Sequence, residues 1–221
     1  MLSSSVLLCL LFFPIFSSAA PIVGALTPCS DLHLVFLVGA NERKRPGAVG
    51  GPLSTVLQAL IPGTTTYTVP YNNNYELRKS VVHGADLAVS KIARQAAHCP
   101  EQRFAIGGYS KGALVIHKMN LPDDLKAKIV AIVAFGDPAY RIPVLGNAWP
   151  INSPVVNRNP RSGYIDSQNV ATFCNRGDII CLRGLKATPH RIYGKDGSIA
   201  VAAAFIRDRM NAWVKKPTTG Q

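Results

Sequence analysis

Carboxylates are scarce in this chain. Its 221 residues carry 12 Asp and Glu against 24 Lys and Arg, a formal net charge of +12. The basic residues are scattered apart from Arg43-Lys44-Arg45. No binding motif accompanies them, which argues against a nucleic-acid partner. The first reading of this charge is a soluble basic surface, and the sharper one is adsorption to a polyanionic wall or polysaccharide. Long apolar runs are also missing after the first twenty residues. Charges and glycines interrupt every later one, so no membrane span is expected. No Asn-x-Ser/Thr acceptor occurs, so N-linked glycosylation is not expected. Neither an internal repeat nor a linker divides the sequence. With 48% hydrophobic residues, the composition excludes disorder, and the length suits one domain with a sizeable core.

The first twenty residues read as a secretory signal. Val6–Phe16 is an apolar run bounded by serines, and Ser18-Ala19-Ala20 supplies small residues for cleavage. The expectation is a signal peptide over 1–20, a single domain over 21–221, and a secreted, extracellular protein. Cysteine usage agrees. Cys9 leaves with the leader, and Cys29, Cys99, Cys174 and Cys181 remain, an even number suited to an oxidising compartment. Three pairings are open to them. A bridge between Cys174 and Cys181 would close a loop of about eight residues, worth roughly 2–3 kcal/mol in the chain-entropy model. Their C-x6-C spacing is wrong for a zinc knuckle, and there is no second close pair. No metal or other cofactor is expected.

What is present alternates between strand and helix signals. Leu32–Val38 is a continuous apolar run fit for a buried strand. Leu53–Leu60 reads as helix, Thr64–Val69 as strand, and Glu76–His98 as a long helix. Lys128–Phe135 and Asn169–Cys174 read as further strands, and Ser198–Trp213 as a closing amphipathic helix. Residues 139–166, rich in Pro, Gly and Asn, read as an irregular excursion. Alternation of this kind predicts a mainly parallel five-stranded sheet covered by helices on both faces, a three-layer α/β/α sandwich.

One segment carries chemistry. Gly108-Tyr-Ser-Lys-Gly112 fits G-x-S-x-G, between an apolar strand, Arg103–Gly107, and a helix, Ala113–Met119. Strand, glycine-flanked serine and helix make the nucleophile elbow of α/β-hydrolases. The serine must sit exposed on a strained turn, and side chains at 108 and 112 would collide with neighbouring backbone. The turn also aims backbone N–H groups, that of Lys111 included, at a developing oxyanion.

A serine hydroxyl needs a base. In this class the order along the chain is Ser, acid, His, and only His117 and His190 follow Ser110. His117 sits about two helical turns beyond the elbow and cannot easily reach back. His190, in a loop before the last helix, is therefore the expected base. Five carboxylates lie between Ser110 and His190: Asp123, Asp124, Asp137, Asp166 and Asp178. Asp123 and Asp124 suit a helix start. Asp166 falls in the irregular excursion. Asp137 follows a strand end but suits a turn. Asp178, inside Cys174-Asn-Arg-Gly-Asp-Ile-Ile-Cys181, is favoured because a short bridged loop would hold it rigidly.

Taken together, Gly108-Tyr-Ser-Lys-Gly112, Phe135-Gly-Asp-Pro138, Cys174-Asn-Arg-Gly-Asp-Ile-Ile-Cys181 and Pro189-His-Arg-Ile-Tyr-Gly194 resemble the cutinase family over residues 29–213. The resemblance implies a compact α/β-hydrolase without a lid. It implies disulfides Cys29–Cys99 and Cys174–Cys181, and Ser110, Asp178 and His190 as a triad. It also implies hydrolysis of cutin polyester or of short to medium acyl esters, with an ester substrate as partner, polymeric or not, and a monomeric enzyme. Two departures stand out. Lys111 replaces the usual Gln after the nucleophile. In Gly39-Ala-Asn-Glu-Arg-Lys-Arg-Pro-Gly47, Glu42 or Arg43 falls where the family carries a hydroxyl for the oxyanion, leaving only a backbone N–H there. Leu182 and Leu185 are candidates for lining an acyl crevice. An acetylxylan esterase, or a wall-binding effector of low activity on this scaffold, are the alternatives.

Overall fold

The computed structural model describes residues 26–43, 46–141 and 148–214. The expected signal peptide lies outside the described residues. Among those described, no helix is long and apolar enough to cross a membrane.

Six strands form one fully parallel sheet, in the order β2-β1-β3-β4-β6-β5. They are β1 (Leu32–Leu37), β2 (Thr65–Thr68), β3 (Arg103–Tyr109), β4 (Ile129–Phe135), β5 (Val156–Asn157) and β6 (Val170–Phe173). Every residue of β1, β3, β4 and β6 is buried. That explains their unbroken apolar runs, since a parallel sheet is covered on both faces. The sequence predicts five strands. The sixth, β5, has two residues inside the Pro- and Asn-rich excursion, too short to leave a periodic signal.

The longer helices are α1 (Gly47–Leu60), α2 (Lys79–His98), α3 (Lys111–Lys118) and α6 (Ser198–Val214), with single turns α4 (Asp123–Lys126) and α5 (Thr188–Arg191). α1 packs against α6, and α2 against α3. α1 begins six residues earlier than its apolar pattern predicts, through Gly47-Ala-Val-Gly-Gly-Pro52. Tertiary packing overrides poor helix propensity there. A Cβ on Gly50 would come within 2.5 Å of the Phe36 ring, so glycine lets the helix lie close on β1. α2 begins three residues later than expected. The Glu76 carboxylate precedes it and accepts hydrogen bonds from the N–H groups of Arg78, Lys79 and Ser80 at 2.5, 2.9 and 2.6 Å. This satisfies the donors a helix start leaves open.

Two disulfides join Cys29 to Cys99 and Cys174 to Cys181. The first ties the chain before β1 to the end of α2. The second closes the loop after β6. β1, β3, β4 and β6 end on the same side of the sheet, and the loops that follow them meet there, where ligands of open parallel sheets bind.

Candidate active site

β3 runs directly into Ser110, whose φ and ψ are 53° and −116°. Positive φ is costly for a non-glycine residue and collects at functional turns. The neighbouring glycines make the turn possible. A Cβ on Gly112 would lie 2.0 Å from the Leu37 carbonyl oxygen, and one on Gly108 would lie 2.8 Å from the backbone of Gly112. The Ser110 N–H is anchored by the Phe135 carbonyl at 2.8 Å. α3 then starts at Lys111, whose N–H belongs to the free first turn of that helix.

His190 reaches Ser110 from α5. Its Nε2 lies 2.9 Å from Ser110 Oγ, and its Nδ1 lies 2.9 and 3.1 Å from the two Asp178 oxygens. Asp178 is fully buried. Besides His190 it accepts hydrogen bonds from the N–H groups of Ile180 and Cys181 and from the Tyr193 hydroxyl, at 2.6, 3.1 and 2.6 Å. Burial alone pushes its pKa up. The hydrogen bonds from His190, Tyr193 and Ile180 outweigh burial and hold the carboxyl below its usual range. Both N–H donors come from the loop closed by Cys174–Cys181, so the bridge and the carboxylate share one turn.

Two tyrosines complete the frame. Tyr193 is buried, and its hydroxyl also accepts the Asn175 N–H at 2.9 Å. Burial and the Asp178 hydrogen bond push its pKa far up, so it stays a neutral donor. Tyr109 donates to the His190 carbonyl at 2.8 Å, and its ring sits 5.1 Å from the imidazole. Both lie inside the motifs, Tyr109 in Gly108-Tyr-Ser-Lys-Gly112 and Tyr193 in Pro189-His-Arg-Ile-Tyr-Gly194, but a sequence does not show where a phenol points.

The other histidine and the other candidate acid pair with each other. His117 Nε2 is 2.9 Å from Asp137 Oδ2, and its Nδ1 is 2.9 Å from the Ala148 carbonyl oxygen. Trp149 packs on its ring at 4.2 Å. Neither residue is hydrogen-bonded to Ser110 or His190. Asp123 caps nothing with its side chain and pairs with Lys126. Asp124 is exposed. Asp166 pairs with Arg209.

The 39–47 loop differs from its reading in sequence. Glu42 is engaged within its own loop. Its carboxylate accepts hydrogen bonds from the N–H groups of Gly39 and Ala48, both at 2.7 Å, and so clamps the loop to the start of α1. The Glu42 N–H is directed to the Gly39 carbonyl at 3.4 Å. Glu42 and Arg43 line a separate depression with Asn41 and Asn73. The residue of this loop that lines a cavity with Ser110 and Lys111 is Ala40. Ala40 precedes Glu42 and Arg43, the two positions expected from the sequence, by two and three residues.

That cavity, of about 440 Å³, is walled by Tyr75, Leu77, Val81, Leu114, Pro138 and Ile180 beside Ser110. Leu182 and Leu185 do not line it. Leu185 is 97% exposed. Lys111 is the least expected element. Its side chain is 2% exposed, and its ammonium donates to the carbonyls of Asn72, Asn74 and Glu76 at 3.2, 2.5 and 2.7 Å and to Ser80 Oγ at 2.7 Å. The lysine after the nucleophile therefore ties the 72–80 wall of the cavity to the elbow. Burial lowers its pKa, and the charge of Glu76 offsets part of that.

Among the described residues, the one cluster with metal-ligand proximity is Cys29, His98 and Cys99. Its two sulfurs are joined to each other in a disulfide.

A parallel sheet, a serine on a positive-φ turn after a central strand, and a histidine and buried aspartate in hydrogen-bonded line define an α/β-hydrolase-like protein. The comparisons narrow this. The cutinase family model matches residues 28–210, and the chain belongs to that family. It is 30% identical to a cutinase of Monilinia fructicola over 214 residues, covering 93% of this chain and 96% of the relative. It is likewise 30% identical to carboxylesterase Culp1 of Mycobacterium tuberculosis over 188 residues, 83% of each chain. Among solved structures, Trichoderma reesei cutinase in complex with a phosphonate inhibitor aligns with a TM-score of 0.66 at 26% identity, over 83% of this chain and 78% of that one. The catalytic core of an acetyl xylan esterase from Trichoderma reesei shares the fold at a TM-score of 0.66 and 19% identity, over 82% of this chain and all of that one.

Proposed function

We propose that this protein is a carboxylic ester hydrolase working through an acyl-enzyme, with Ser110 as nucleophile, His190 as general base and acid, and Asp178 as the orienting carboxylate. The single observation that carries the reading is the unbroken line from Ser110 Oγ through both His190 nitrogens to the buried Asp178. Membership of a family whose relatives are named cutinase and carboxylesterase supports it.

The chemistry follows from the protons. Ser110 Oγ attacks the ester carbonyl carbon while His190 Nε2 takes its proton. Asp178, acceptor-only and held ionised, keeps His190 Nδ1 protonated and stabilises the imidazolium that forms. The oxyanion develops near the α3 start, where the Lys111 N–H and the backbone of Ala40 are the donors this reading assigns. Collapse expels the alcohol, which takes the proton from His190. Water, deprotonated by His190, then attacks the acyl-Ser110 carbonyl and releases the acid.

The apolar walls of the cavity favour esters with longer acyl chains over acetyl esters, and so favour the cutinase-type reading over the acetylxylan esterase one. Two disulfides suit an oxidising, extracellular setting. A polymeric substrate, secretion through the 1–20 leader and action as a monomer belong to the same proposal.

The test is hydrolysis of a short-chain chromogenic ester by the purified protein, with Ser110→Ala as control. Turnover with a loss on the order of 10³-fold or more in the variant is expected. A protein that shows no turnover, or one whose turnover survives in Ser110→Ala, contradicts the proposal.

A further inference from the structure

The cavity beside Ser110 has cations and no carboxylate on its walls. Its charged lining residues are Arg78, Lys111 and Lys118. Lys111 is engaged with the 72–80 segment. Arg78 and Lys118 are exposed, and neither forms an ion pair with a described residue. The carboxylates nearby are turned elsewhere. Glu76 is occupied by the N–H groups that open α2. Asp178 is buried behind His190. Asp86 shares with Arg78 a separate shallow depression, formed with Lys79, Val82 and His83.

The geometry of α3 orders these groups. Lys111, Leu114 and Lys118 are spaced i, i+3 and i+7, so they share one face of the helix. Lys118 lies about 10 Å along the axis from Lys111, at 1.5 Å per residue. An acyl chain attached to Ser110 and lying over Leu114 reaches the level of Lys118 after about eight or nine bonds, taking about 1.2 Å per bond from the extended backbone. A neutral chain gains only the apolar wall. A chain ending in a carboxylate gains the wall and the Lys118 cation at its far end, with Arg78 as a second cation lining the same cavity. Both residues are exposed and also line the cavity, the disposition in which a long cationic side chain packs its stem and leaves its charge to solvent.

We propose that the site prefers esters whose acyl chain ends in an anionic group, with Arg78 and Lys118 as the residues that recognise the anion. This rests on the esterase reading, and the bonds made and broken are those described for it, with water consumed and a dicarboxylate and an alcohol released. The pairing is solvent-exposed, so its size is modest. At about 0.2–1 kcal/mol per exposed pair, two pairs correspond to a preference of roughly 2- to 30-fold.

The experiment compares mono-4-nitrophenyl suberate with its methyl ester, methyl 4-nitrophenyl suberate. The two share chain length and leaving group and differ in the terminal charge. The readout is the ratio of their kcat/KM values in the native protein and in Arg78→Gln/Lys118→Gln, at low salt and at about 1 M salt, where the Debye length is about 3 Å. A ratio of about fivefold or more in the native protein at low salt is expected, falling towards one in the double variant and at high salt. A native ratio at or below one overturns the proposal, as does a ratio that persists in the double variant. Because each protein is its own reference, partial loss of folded enzyme does not move the ratio. Absence of turnover on both esters overturns the esterase reading itself, and the preference with it. Turnover of the methyl ester without preference overturns the preference alone.

Discussion

Replacing Lys111 by Met probes the least expected part of the site. The substitution keeps the length and the apolar stem of a buried side chain and removes its three donors. Four acceptors then lose their partner: the carbonyls of Asn72, Asn74 and Glu76 and the hydroxyl of Ser80. Hydrogen bonds to a charged group contribute about 1.5–3 kcal/mol each. Against that, taking the ammonium out of water costs several kcal/mol, and Met avoids this cost. Residues 72, 74 and 76 are exposed, so their carbonyls can turn to water once released. The net loss is about 2 kcal/mol, which lowers Tm by about 4–8 °C in a chain of this size. The sharper effect is local. With the ammonium gone, Tyr75, Leu77 and Arg78 are no longer tied to the elbow, and the cavity wall loosens. Amide exchange should quicken over 72–78 while β3 and β4 stay protected. On a medium-chain ester KM should rise more than kcat falls, because the wall binds the chain and does not touch the reacting atoms. Lys111→Gln keeps two donors and should recover part of both effects. An unchanged Tm with unchanged exchange over 72–78 refutes the role given to the ammonium.

Three further outcomes are expected. Ala40→Ser places a hydroxyl on the loop residue that shares Ser110's cavity. It should raise kcat about tenfold, or about 1.4 kcal/mol of transition-state stabilisation, with little change in KM. Glu42→Ser should instead lower stability by freeing the Gly39 and Ala48 donors, seen as a lower urea midpoint. Equal effects of the two substitutions on kcat contradict this assignment. Asp178→Asn should cost on the order of 10³–10⁴-fold in kcat/KM, and Asp137→Asn should mainly lower Tm through the His117 contact. The reverse pattern in ester assays reassigns the acid. Asp178, Asp196 and Asp208 are all held below the usual carboxylate range in the folded protein. Their contribution is present above the unfolded carboxylate value of about 4 and is lost as pH falls through the folded values. Urea midpoints measured from about pH 6 down to pH 3 should therefore decline, and a midpoint that rises on acidification contradicts this.

The elbow was readable in the sequence because its chemistry leaves so few choices. Only glycine fits at 108 and 112, and only two histidines follow Ser110. The buried strands were readable because each is covered on both faces and so is apolar throughout. β5 was not, since two paired residues carry no period. The early start of α1 was hidden because Gly50 is there for its packing on Phe36, and helix propensity points the other way. The role of Lys111 was hidden because its partners are mostly main-chain carbonyls 35 to 39 residues away, which are the same whatever the side chains are. The clamp made by Glu42 was hidden for a related reason. Its two partners are backbone N–H groups, and the choice between Ala40, Glu42 and Arg43 depends on how the loop folds back on α1. Tyr193 could have been suspected from its place three residues after His190, but only the fold brings its hydroxyl to Asp178.

The central claim is that Ser110 is a nucleophile activated by His190. Its most direct measurement is the site of covalent capture by a chromogenic alkyl phosphonate ester. The account predicts one equivalent of alcohol released, loss of ester turnover in step with it, and the phosphonyl mass on the peptide carrying Ser110. His190→Ala should slow the capture by several orders of magnitude. Labelling at any other residue in step with the loss of turnover, or capture at Ser110 that is as fast without His190, would contradict it.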